Sequence, residues 1–492
     1  MSEASAREST GVAGLDTILG GGLITEQNAL LRGPPGVGKT VFGLHFLSAC
    51  DADETALYIN LGEPTAYVER TAAHFGLDSP SLQILELAPT AEEFAEGGTY
   101  SLFSAAEVEG PPLVSEIIDT VEERAPDRVF VDPITELRYL TTDDHQFRSQ
   151  ILGLLDFLRD AGATVMMASQ SAPDSPDTDL QFMTDAIINL ERRRDTLTID
   201  VPKFRGPSPK RGPHTYEVTT DGVEVWPRLH PDVPAVEFPD ERVSSGVPEL
   251  DKLLHGGLQR GTVTFFSGPT GAGKTTTSMQ FVKEAAGRGN YSVIFSFEES
   301  KRTMVRRSKA LNIGLEEMLE RDRLDIVEVR PGEYTADQLT SMIRDAVTED
   351  DAEIVLLDGF QGFKQNLRGF DDDRGPVDYL VSIGRYLREQ GVTTLVTNEV
   401  HDITGQFRVT EEATSNLADN IVFLRYLEYN GSMEKVVGVL KMRTSDFEDS
   451  IRRIDFTEYG VTVGDPLEGL TGILTGTPRF EGSSRSETDG ER

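Results

Sequence analysis

Short apolar runs alternate with amphipathic stretches along this chain, in an order that predicts strands separated by helices. In the N-terminal half we predict strands over Gln27–Leu31, Ala56–Leu61, Arg128–Asp132 and Thr164–Ser169, and helices over Tyr67–Phe75 and Gln146–Ala161. Apolar strands of this kind are typical of parallel sheets that helices cover on both faces.

The same order returns in the C-terminal half. Strands are predicted over Val263–Phe266, Ser292–Phe297, Ile354–Asp358, Thr393–Glu399 and Ile421–Leu424, and a helix over Thr276–Ala286. We therefore expect an α/β fold with two mostly parallel sheets, each flanked by helices.

An internal repeat supports this division. A shift of 235 residues lays Ser9–Thr40 on Ser244–Thr275 without a gap, and 15 of the 32 aligned positions are identical. Repetition at this length indicates tandem domains. The stretch 227–240 contains four prolines and reads as a linker. We expect a first domain with its linker over 1–237, a second over 238–475, and a disordered polar tail over 476–492.

Each repeat contains one complete G-x-x-x-x-G-K-[ST] phosphate loop between a predicted strand and a helix. The loop residues are Gly33, Pro34, Pro35, Gly36, Val37, Gly38, Lys39 and Thr40 in the first repeat, and Gly268, Pro269, Thr270, Gly271, Ala272, Gly273, Lys274 and Thr275, followed by Thr276, in the second. Glycines allow backbone N–H groups to converge on phosphate oxygens, and the lysine neutralises the β- and γ-phosphates. Both repeats are predicted to bind ATP.

Two aspartates are candidates for holding Mg²⁺. Asp132 and Asp358 each end an apolar strand that follows a phosphate loop in the same repeat. In phosphate-loop enzymes such an aspartate holds the metal together with the loop hydroxyl, here Thr40 or Thr275.

A second pair of carboxylates ends the strand before the aspartate. Glu298 is the candidate base that activates a water or hydroxyl, and Glu299 supports it. The alternative is an exposed pair at a helix start, where the helix dipole favours acids. The first repeat has Gly62 and Glu63 here, so Glu63 remains as a candidate while water activation is in doubt.

Lys203 and Arg205 in the first repeat match Lys441 and Arg443 in the second. One interpretation is a basic finger that reaches a nucleotide, and the other is a solvated cationic turn. Recurrence in both repeats favours the finger, whose loss from a phosphoryl-transfer site typically costs ~10³–10⁵ in rate.

Composition narrows the class of protein. The formal charge is −36, from 47 basic and 83 acidic residues spread over both halves. We favour adaptation to high salt over an acidic interaction surface. The acidic balance argues against broad, sequence-independent nucleic-acid binding, and a local basic patch stays open. Cys50 is the single cysteine, which suits a reducing compartment. The first residues show no basic or apolar leader pattern and no apolar run reaches membrane-spanning length, so we expect neither a leader nor a membrane span. We expect a cytoplasmic protein that binds no membrane.

These motifs resemble the KaiC family of tandem RecA-like ATPases and autokinases, including its archaeal relatives. The likeness covers residues 9–475 and is most specific in Phe297–Ser300, Lys441–Arg443 and 474–479. The resemblance implies two RecA-like domains, a homo-oligomeric ring of six subunits, and ATP with Mg²⁺ held between neighbours. It also implies that the Lys-x-Arg residues reach the site of the next subunit. Signalling proteins are candidate partners, whereas clock partner proteins cannot be inferred from the sequence.

The resemblance also implies adjacent phosphorylated Ser and Thr residues just before a strand. Counting back from the predicted strand Ile421–Leu424 puts Ser415 and Asn416 at that place, so one acceptor is kept and the other is missing. Thr410 falls at a nearby third hydroxyl position. Ser415 is equally well explained as a helix cap or loop serine.

Three functions remain open from the sequence. The first is an ATPase with Ser/Thr autokinase activity in the second domain. The second is a DNA-recombination ATPase of the RecA type, since the fold does not separate the two. The third is a nucleotide-gated scaffold ring, which Gly62 favours for the first domain.

Overall fold

The computed structural model describes residues 6–87, 112–141, 143–170, 177–229, 236–370, 375–400, 416–429, 431–467, 470–471 and 479–480. The chain divides into two compact units, Met1–Arg228 and Leu229–Arg492. This division falls within the proline-containing stretch 227–240 that was predicted to be a linker.

A nine-stranded sheet forms the centre of the first unit within the described residues. In spatial order its strands are Gly222–Trp226, His214–Thr219, Thr196–Phe204, Ala186–Arg193, Asn28–Gly33, Thr164–Gln170, Arg128–Asp132, Ala56–Asn60 and Leu82–Glu86. The last six run parallel and the first three antiparallel.

The second unit repeats this order across the part of the chain that the structure describes. Its strands are Leu324–Glu328, Tyr291–Ser296, Ala352–Asp358, Thr393–Glu399, Val263–Gly268, Asn420–Tyr429, Ser432–Met442, Arg452–Thr457 and Gly460–Pro466. The first six are parallel and the last three antiparallel. Two mostly parallel sheets were predicted, and the fold class is confirmed.

Helices cover both sheets. The first unit has helices Ala13–Leu19, Lys39–Ser48, Thr65–His74, Pro112–Arg124, Asp144–Asp160 and Thr178–Met183, and a 3₁₀ helix, Ile134–Leu140. The second has Pro248–Leu253, Lys274–Gly287, Lys301–Ala310, Leu315–Glu320, Ala336–Thr348, Phe360–Asn366 and Pro376–Glu389.

The Ala56–Asn60 strand shows why the central strands read as continuous apolar runs. Ala56 and Tyr58 pack into one core layer, whereas Leu57 and Ile59 pack into the layer on the other face. Successive side chains of a strand point to opposite faces, so a sheet buried on both sides requires apolar residues at every position.

The opening segment of each repeat is tied to its first helix by the same hydrogen bonds. The Ser9 hydroxyl donates to Asp16 Oδ2 and the Thr10 N–H donates to Asp16 Oδ1, at 2.6 and 2.8 Å. Ser244 and Ser245 bond Asp251 in the same way and at the same distances. The repeat therefore keeps the same local structure, with the identical Ser9/Ser244 and Asp16/Asp251 and with Thr10 replaced by Ser245.

The linker and the tail each contain described residues. Val236 donates a backbone hydrogen bond of 2.8 Å to Glu389, so the end of the linker packs on the second unit. Within the expected tail, Arg479–Phe480 pairs with Leu470–Thr471 as a short antiparallel ladder. No helix in the described ranges is long and apolar enough to cross a membrane.

Candidate functional site

Each phosphate loop leaves the carboxyl end of the central strand and enters a helix. The first joins Asn28–Gly33 to Lys39–Ser48. Gly36 and Gly38 have φ angles of +77° and +89°, a region that favours glycine. A Cβ atom added at Gly36 would meet no atom within 4 Å, so the space in front of this loop is open.

The second loop joins Val263–Gly268 to Lys274–Gly287 and has the same backbone form. Gly271 and Gly273 have φ angles of +76° and +104°. A Cβ atom added at Gly273 would lie 2.1 Å from the ring of Phe456, so packing as well as backbone conformation requires glycine there.

The loop lysines fold back over their own loops. Lys39 Nζ donates to the Gly33 and Pro34 carbonyl oxygens at 2.9 and 3.0 Å. Lys274 Nζ donates to Gly268 and Pro269 at 3.0 and 3.1 Å. Burial lowers the pKa of both amines, while nearby carboxylates oppose that shift. Anionic phosphate oxygens would replace these carbonyls as stronger acceptors.

In the first repeat the structure brings Thr40 and Asp132 together. The Thr40 hydroxyl donates to Asp132 Oδ2 at 2.7 Å, and the Tyr58 hydroxyl donates to the same oxygen at 2.9 Å. Burial is the main cause that raises the pKa of Asp132, and these two hydrogen bonds oppose it.

In the second repeat Thr275 and Asp358 form the corresponding pair. The Thr275 hydroxyl donates to Asp358 Oδ1 at 2.8 Å, and the Thr397 hydroxyl donates to it at the same distance. Asp358 is buried, which raises its pKa, and the two hydroxyls oppose that shift. Thr276, the next loop residue, is buried in the first turn of the helix.

Glu298 lies at the end of the Tyr291–Ser296 strand, close to the loop lysine. Its pKa is raised, first by burial of the carboxyl group and then by repulsion from Asp358 and Glu399, while Lys274 lowers it. Glu298 therefore interacts electrostatically with two further carboxylates and with the loop lysine. A carboxylate with a raised pKa beside a phosphate-binding lysine is suited to accept a proton.

Glu299 points to a different partner. It forms an ion pair of 3.0 Å with Arg307, and burial raises its pKa. The ion pair fixes the segment after Glu298, which suits a supporting role.

Strand pairing shows which first-repeat residues correspond to these glutamates. Asn60 pairs with Asp132 as Ser296 pairs with Asp358. Gly62 therefore takes the position of Glu298, and Glu63 that of Glu299. The Asn60 side chain accepts hydrogen bonds from the Gly62 and Glu63 N–H groups, so the turn is ordered without a carboxylate at its first position.

The Lys-x-Arg residues lie at the opposite end of the sheet from the phosphate loop of their own chain. The Arg205 N–H donates to the Asp185 carbonyl, and the Asp185 N–H donates to Asn28, which begins the central strand. Gly33 ends that strand, about 16 Å away at ~3.3 Å per residue. Lys203 Nζ donates to the Gln181 carbonyl at 2.8 Å.

The second repeat has the same arrangement. The Arg443 N–H donates to Asp419, and the Asp419 N–H donates to Val263 at the start of the central strand. Lys441 Nζ donates to the Ala418 carbonyl at 2.7 Å. Lys203 and Lys441 each lie one residue before the end of a long antiparallel strand. Sequence reasoning missed both strands, because only a turn or finger was considered there.

Sequence reasoning also missed three side chains of the sites. Tyr58 and Thr397 bond the two aspartates, and Glu399 accepts a hydrogen bond from the Thr270 hydroxyl of the second loop. Each lies on a strand that was predicted, but the pattern of apolar residues does not show which strands are neighbours. The proposed acceptors Ser415 and Thr410 lie outside the described residues.

The donor sets fit ATP and Mg²⁺. Each site combines a glycine loop, a lysine and a threonine–aspartate pair, which are the groups that phosphate-loop enzymes use for a nucleotide and its metal. Oxygen ligands of this type suit Mg²⁺. Fold and site together define a tandem RecA-like P-loop protein.

Comparison with known proteins identifies the family. The family model described as the KaiC ATPase matches residues 8–230 and 243–468. The chain belongs to the KaiC family of ATPases.

Curated relatives match nearly the whole chain. The circadian clock protein KaiC3 of Synechocystis sp. is 25% identical over 97% of this chain and 95% of its own length. The circadian clock oscillator protein KaiC of Prochlorococcus marinus is 26% identical over 95% of each chain. That of Synechococcus elongatus is 25% identical over 97% of this chain and 92% of its own.

Proposed function

We propose that the second site hydrolyses Mg-ATP with Glu298 as the base. The observation that carries this proposal is that Glu298 packs against the residue that follows Asp358: a Cβ atom added at Gly359 would lie 2.7 Å from Glu298 Cγ. A group that removes a proton from water must stand beside the phosphate cradle and the metal position, and Glu298 does so.

In this mechanism Glu298 accepts a proton from water as the water oxygen bonds to the γ-phosphorus. The bond from that phosphorus to the bridging oxygen breaks, and ADP and phosphate leave. Lys274 neutralises charge on the transferred group, and Thr275 and Asp358 hold the metal. Mg²⁺ supplies further neutralisation of the phosphate oxygens when it is bound.

Completion of the site by a second copy of the chain is the next part of the proposal. Arg443 is level with Val263 at the start of the central strand, whereas the loop begins at Gly268 at its end. An arginine side chain cannot span that length within one chain. A head-to-tail ring would bring Lys441 and Arg443 of one subunit to the loop of the next, and Lys203 and Arg205 likewise in the first repeat. The family resemblance implies six subunits.

We further propose autophosphorylation on Ser415, with Thr410 as a second candidate, and a signalling or clock-like role. The support is membership of the KaiC family and similarity to circadian clock proteins over most of the chain. The same base would accept the proton of a serine hydroxyl in place of water.

Incubation of the purified protein with γ-labelled ATP and Mg²⁺ at high salt, followed by phosphate release and phosphopeptide mapping, tests both parts. We expect Glu298→Gln to lose the second site's turnover and keep ATP binding, with Glu320→Gln on an exposed helix as the control. Unchanged turnover in Glu298→Gln refutes the base assignment.

Label at Ser415 that disappears in Ser415→Ala and in Glu298→Gln supports the autokinase. Released phosphate without protein label refutes the autokinase and leaves the ATPase intact.

A further inference from the structure

The first site has no glutamate at the position of Glu298, yet it has one that the second site lacks. Gly62 replaces Glu298, as the strand registers require. Counting on from the paired aspartates, Pro133 takes the place of Gly359 and Glu136 that of Gly362.

The Glu298 side chain of the second site and the Pro133 ring of the first site occupy corresponding space. In the second site, a Cβ atom added at Gly359 would lie 2.7 Å from Glu298 Cγ. In the first site, a Cβ atom added at Gly62 would lie 2.9 Å from Pro133 Cδ. Contacts under about 3.0 Å require atoms to move. A side chain at one of the two positions therefore demands glycine at the other.

Gly362 is constrained by the same segment. A Cβ atom added there would lie 2.6 Å from Phe297 Cβ and 2.8 Å from the Phe297 carbonyl oxygen. The first site has Leu61 in place of Phe297 and carries a glutamate at this position. The segment after the aspartate therefore carries the side chains of Pro133 and Glu136 in the first site, at positions where the second site requires glycine.

Glu136 faces the nucleotide cavity. The first site contains a cavity of about 370 Å³, which is lined by residues of the phosphate loop and by Glu136. The lining includes Lys39, Thr40 and Asp132. Glu136 is half-buried on the 3₁₀ helix Ile134–Leu140 and has no hydrogen-bond or ion-pair partner for its carboxylate among the described residues.

We propose that Glu136 is the carboxylate that orients the attacking water in the first site, in place of the glutamate lost at Gly62. This inference rests on the proposed ATPase function. The water proton passes to Glu136 as the oxygen–phosphorus bond forms. The bond between the γ-phosphorus and the bridging oxygen breaks, giving ADP and phosphate.

Glu63 is the competing carboxylate. It lines the same cavity but is exposed, and it occupies the position of Glu299, which is held by Arg307 in the second site. A supporting position in one repeat does not become the reacting position in the other unless the turn changes, and Asn60 holds this turn.

The test uses the full chain carrying Glu298→Gln, so that the remaining ATP turnover belongs to the first site. Glu136→Gln, Glu63→Gln and the exposed control Glu122→Gln are then added one at a time. We expect Glu136→Gln to lower kcat ~10²–10⁴-fold with KM and the affinity for a fluorescent ATP analogue unchanged. Glu122→Gln leaves all three quantities unchanged, and Glu63→Gln lowers kcat far less than Glu136→Gln.

Two results overturn the proposal. One is first-site turnover that Glu136→Gln leaves intact or that Glu63→Gln abolishes instead. The other is a Glu298→Gln protein that binds ATP at the first site but hydrolyses none, which would make that site a scaffold while the second-site ATPase stands. Failure of the proposed function is distinct, because Glu298→Gln itself would then leave total turnover unchanged.

A rescue experiment tests whether Pro133 excludes a glutamate side chain at position 62. In the Glu136→Gln protein, the combined change Gly62→Glu and Pro133→Gly is expected to restore turnover, because it copies the second site. Gly62→Glu alone should not restore turnover, since Pro133 occupies the space that the glutamate side chain needs. Rescue by Gly62→Glu alone would contradict the inference that Pro133 and a side chain at position 62 exclude each other.

Discussion

The Thr275 hydroxyl donates a 2.8 Å hydrogen bond to Asp358, which joins the end of the second phosphate loop to the end of a strand 83 residues later. Thr40 and Asp132 form the same bond at 2.7 Å in the first repeat, across 92 residues. In each sheet one strand lies between the strand that enters the phosphate loop and the strand that ends in the aspartate, and the threonine at the start of the loop helix spans that gap. This oxygen pair is the proposed metal position.

Removing the hydroxyl of this pair should weaken the metal site. We expect Thr275→Ala to raise the Mg²⁺ concentration for half-maximal turnover about 10–100-fold, since it removes an oxygen ligand of the proposed metal site, while Thr397 still holds Asp358. Thr275→Ser keeps the hydroxyl and should behave almost as the unchanged protein. A magnesium titration in the first-site-silenced Glu136→Gln protein measures the effect, and equal curves for Ala and Ser would contradict it.

The pH dependence of turnover should follow Glu298. This base acts when ionised, and burial together with Asp358 and Glu399 raises its pKa. Turnover should therefore fall, as the pH decreases, at a higher pH than the ordinary pKa of a glutamate would give.

Glu399→Gln removes one of the repelling charges. The pKa of Glu298 should decrease, so the acid limb of the pH–kcat profile should move to lower pH. Glu320→Gln, on the exposed end of a helix, is the matched control and should leave the limb in place. An acid limb that does not move in Glu399→Gln would show that another group titrates.

Mixing two inactive variants tests whether neighbouring subunits share a site. Arg443→Ala should reduce second-site turnover ~10³–10⁵-fold, and Lys274→Ala should remove it. In a ring assembled from equal amounts of both, about a quarter of the sites receive an intact loop and an intact arginine.

Turnover near a quarter of the unchanged second-site rate is expected after the two variants are dissociated and reassembled together. Each variant reassembled alone is the control. A mixture no more active than its parts would mean that the arginine acts within its own chain or not at all. Arg443 is half-exposed and 3.8 Å from Asp419, so its loss should change stability little.

Gly43 and Gly153 should respond to alanine in opposite ways. A Cβ atom at Gly43, in the helix after the first loop, would lie 2.1 Å from the Phe130 ring. Gly43→Ala should destabilise the first unit by about 1–3 kcal/mol or more through overpacking. Gly153 is exposed in the Asp144–Asp160 helix with no atom within 4 Å of the added Cβ.

Gly153→Ala should stabilise by about 0.5–1 kcal/mol, because alanine loses less backbone entropy than glycine in a helix. The free energies of unfolding of both variants come from guanidinium titrations without nucleotide. A neutral Gly43→Ala would mean that the helix and the Arg128–Asp132 strand separate readily.

Much of each site could be predicted locally. The loops, their lysines and threonines, and Asp132 and Asp358 all follow from glycine spacing and from the ends of apolar strands, because these features depend on neighbours in sequence. The strand Arg128–Asp132 and the strand Thr393–Glu399 have the predicted bounds.

The antiparallel part of each sheet was not predicted. Two of its strands, Thr196–Phe204 and Ser432–Met442, contain both polar and apolar residues. Lys203 lies near the end of the first and Lys441 near the end of the second. Their side chains are partly exposed, so the apolar pattern that identifies a buried strand is weak there.

The sequence by itself determined two phosphate loops, two strand-end aspartates and a tandem α/β fold, since each is written in short runs of residues. Only the tertiary structure decided that the Lys-x-Arg residues lie at the far end of the sheet from their own loop. It also decided that Pro133 of the first site occupies the space that corresponds to the Glu298 side chain in the second site. Both facts depend on strand register and packing between distant segments, which no local pattern encodes.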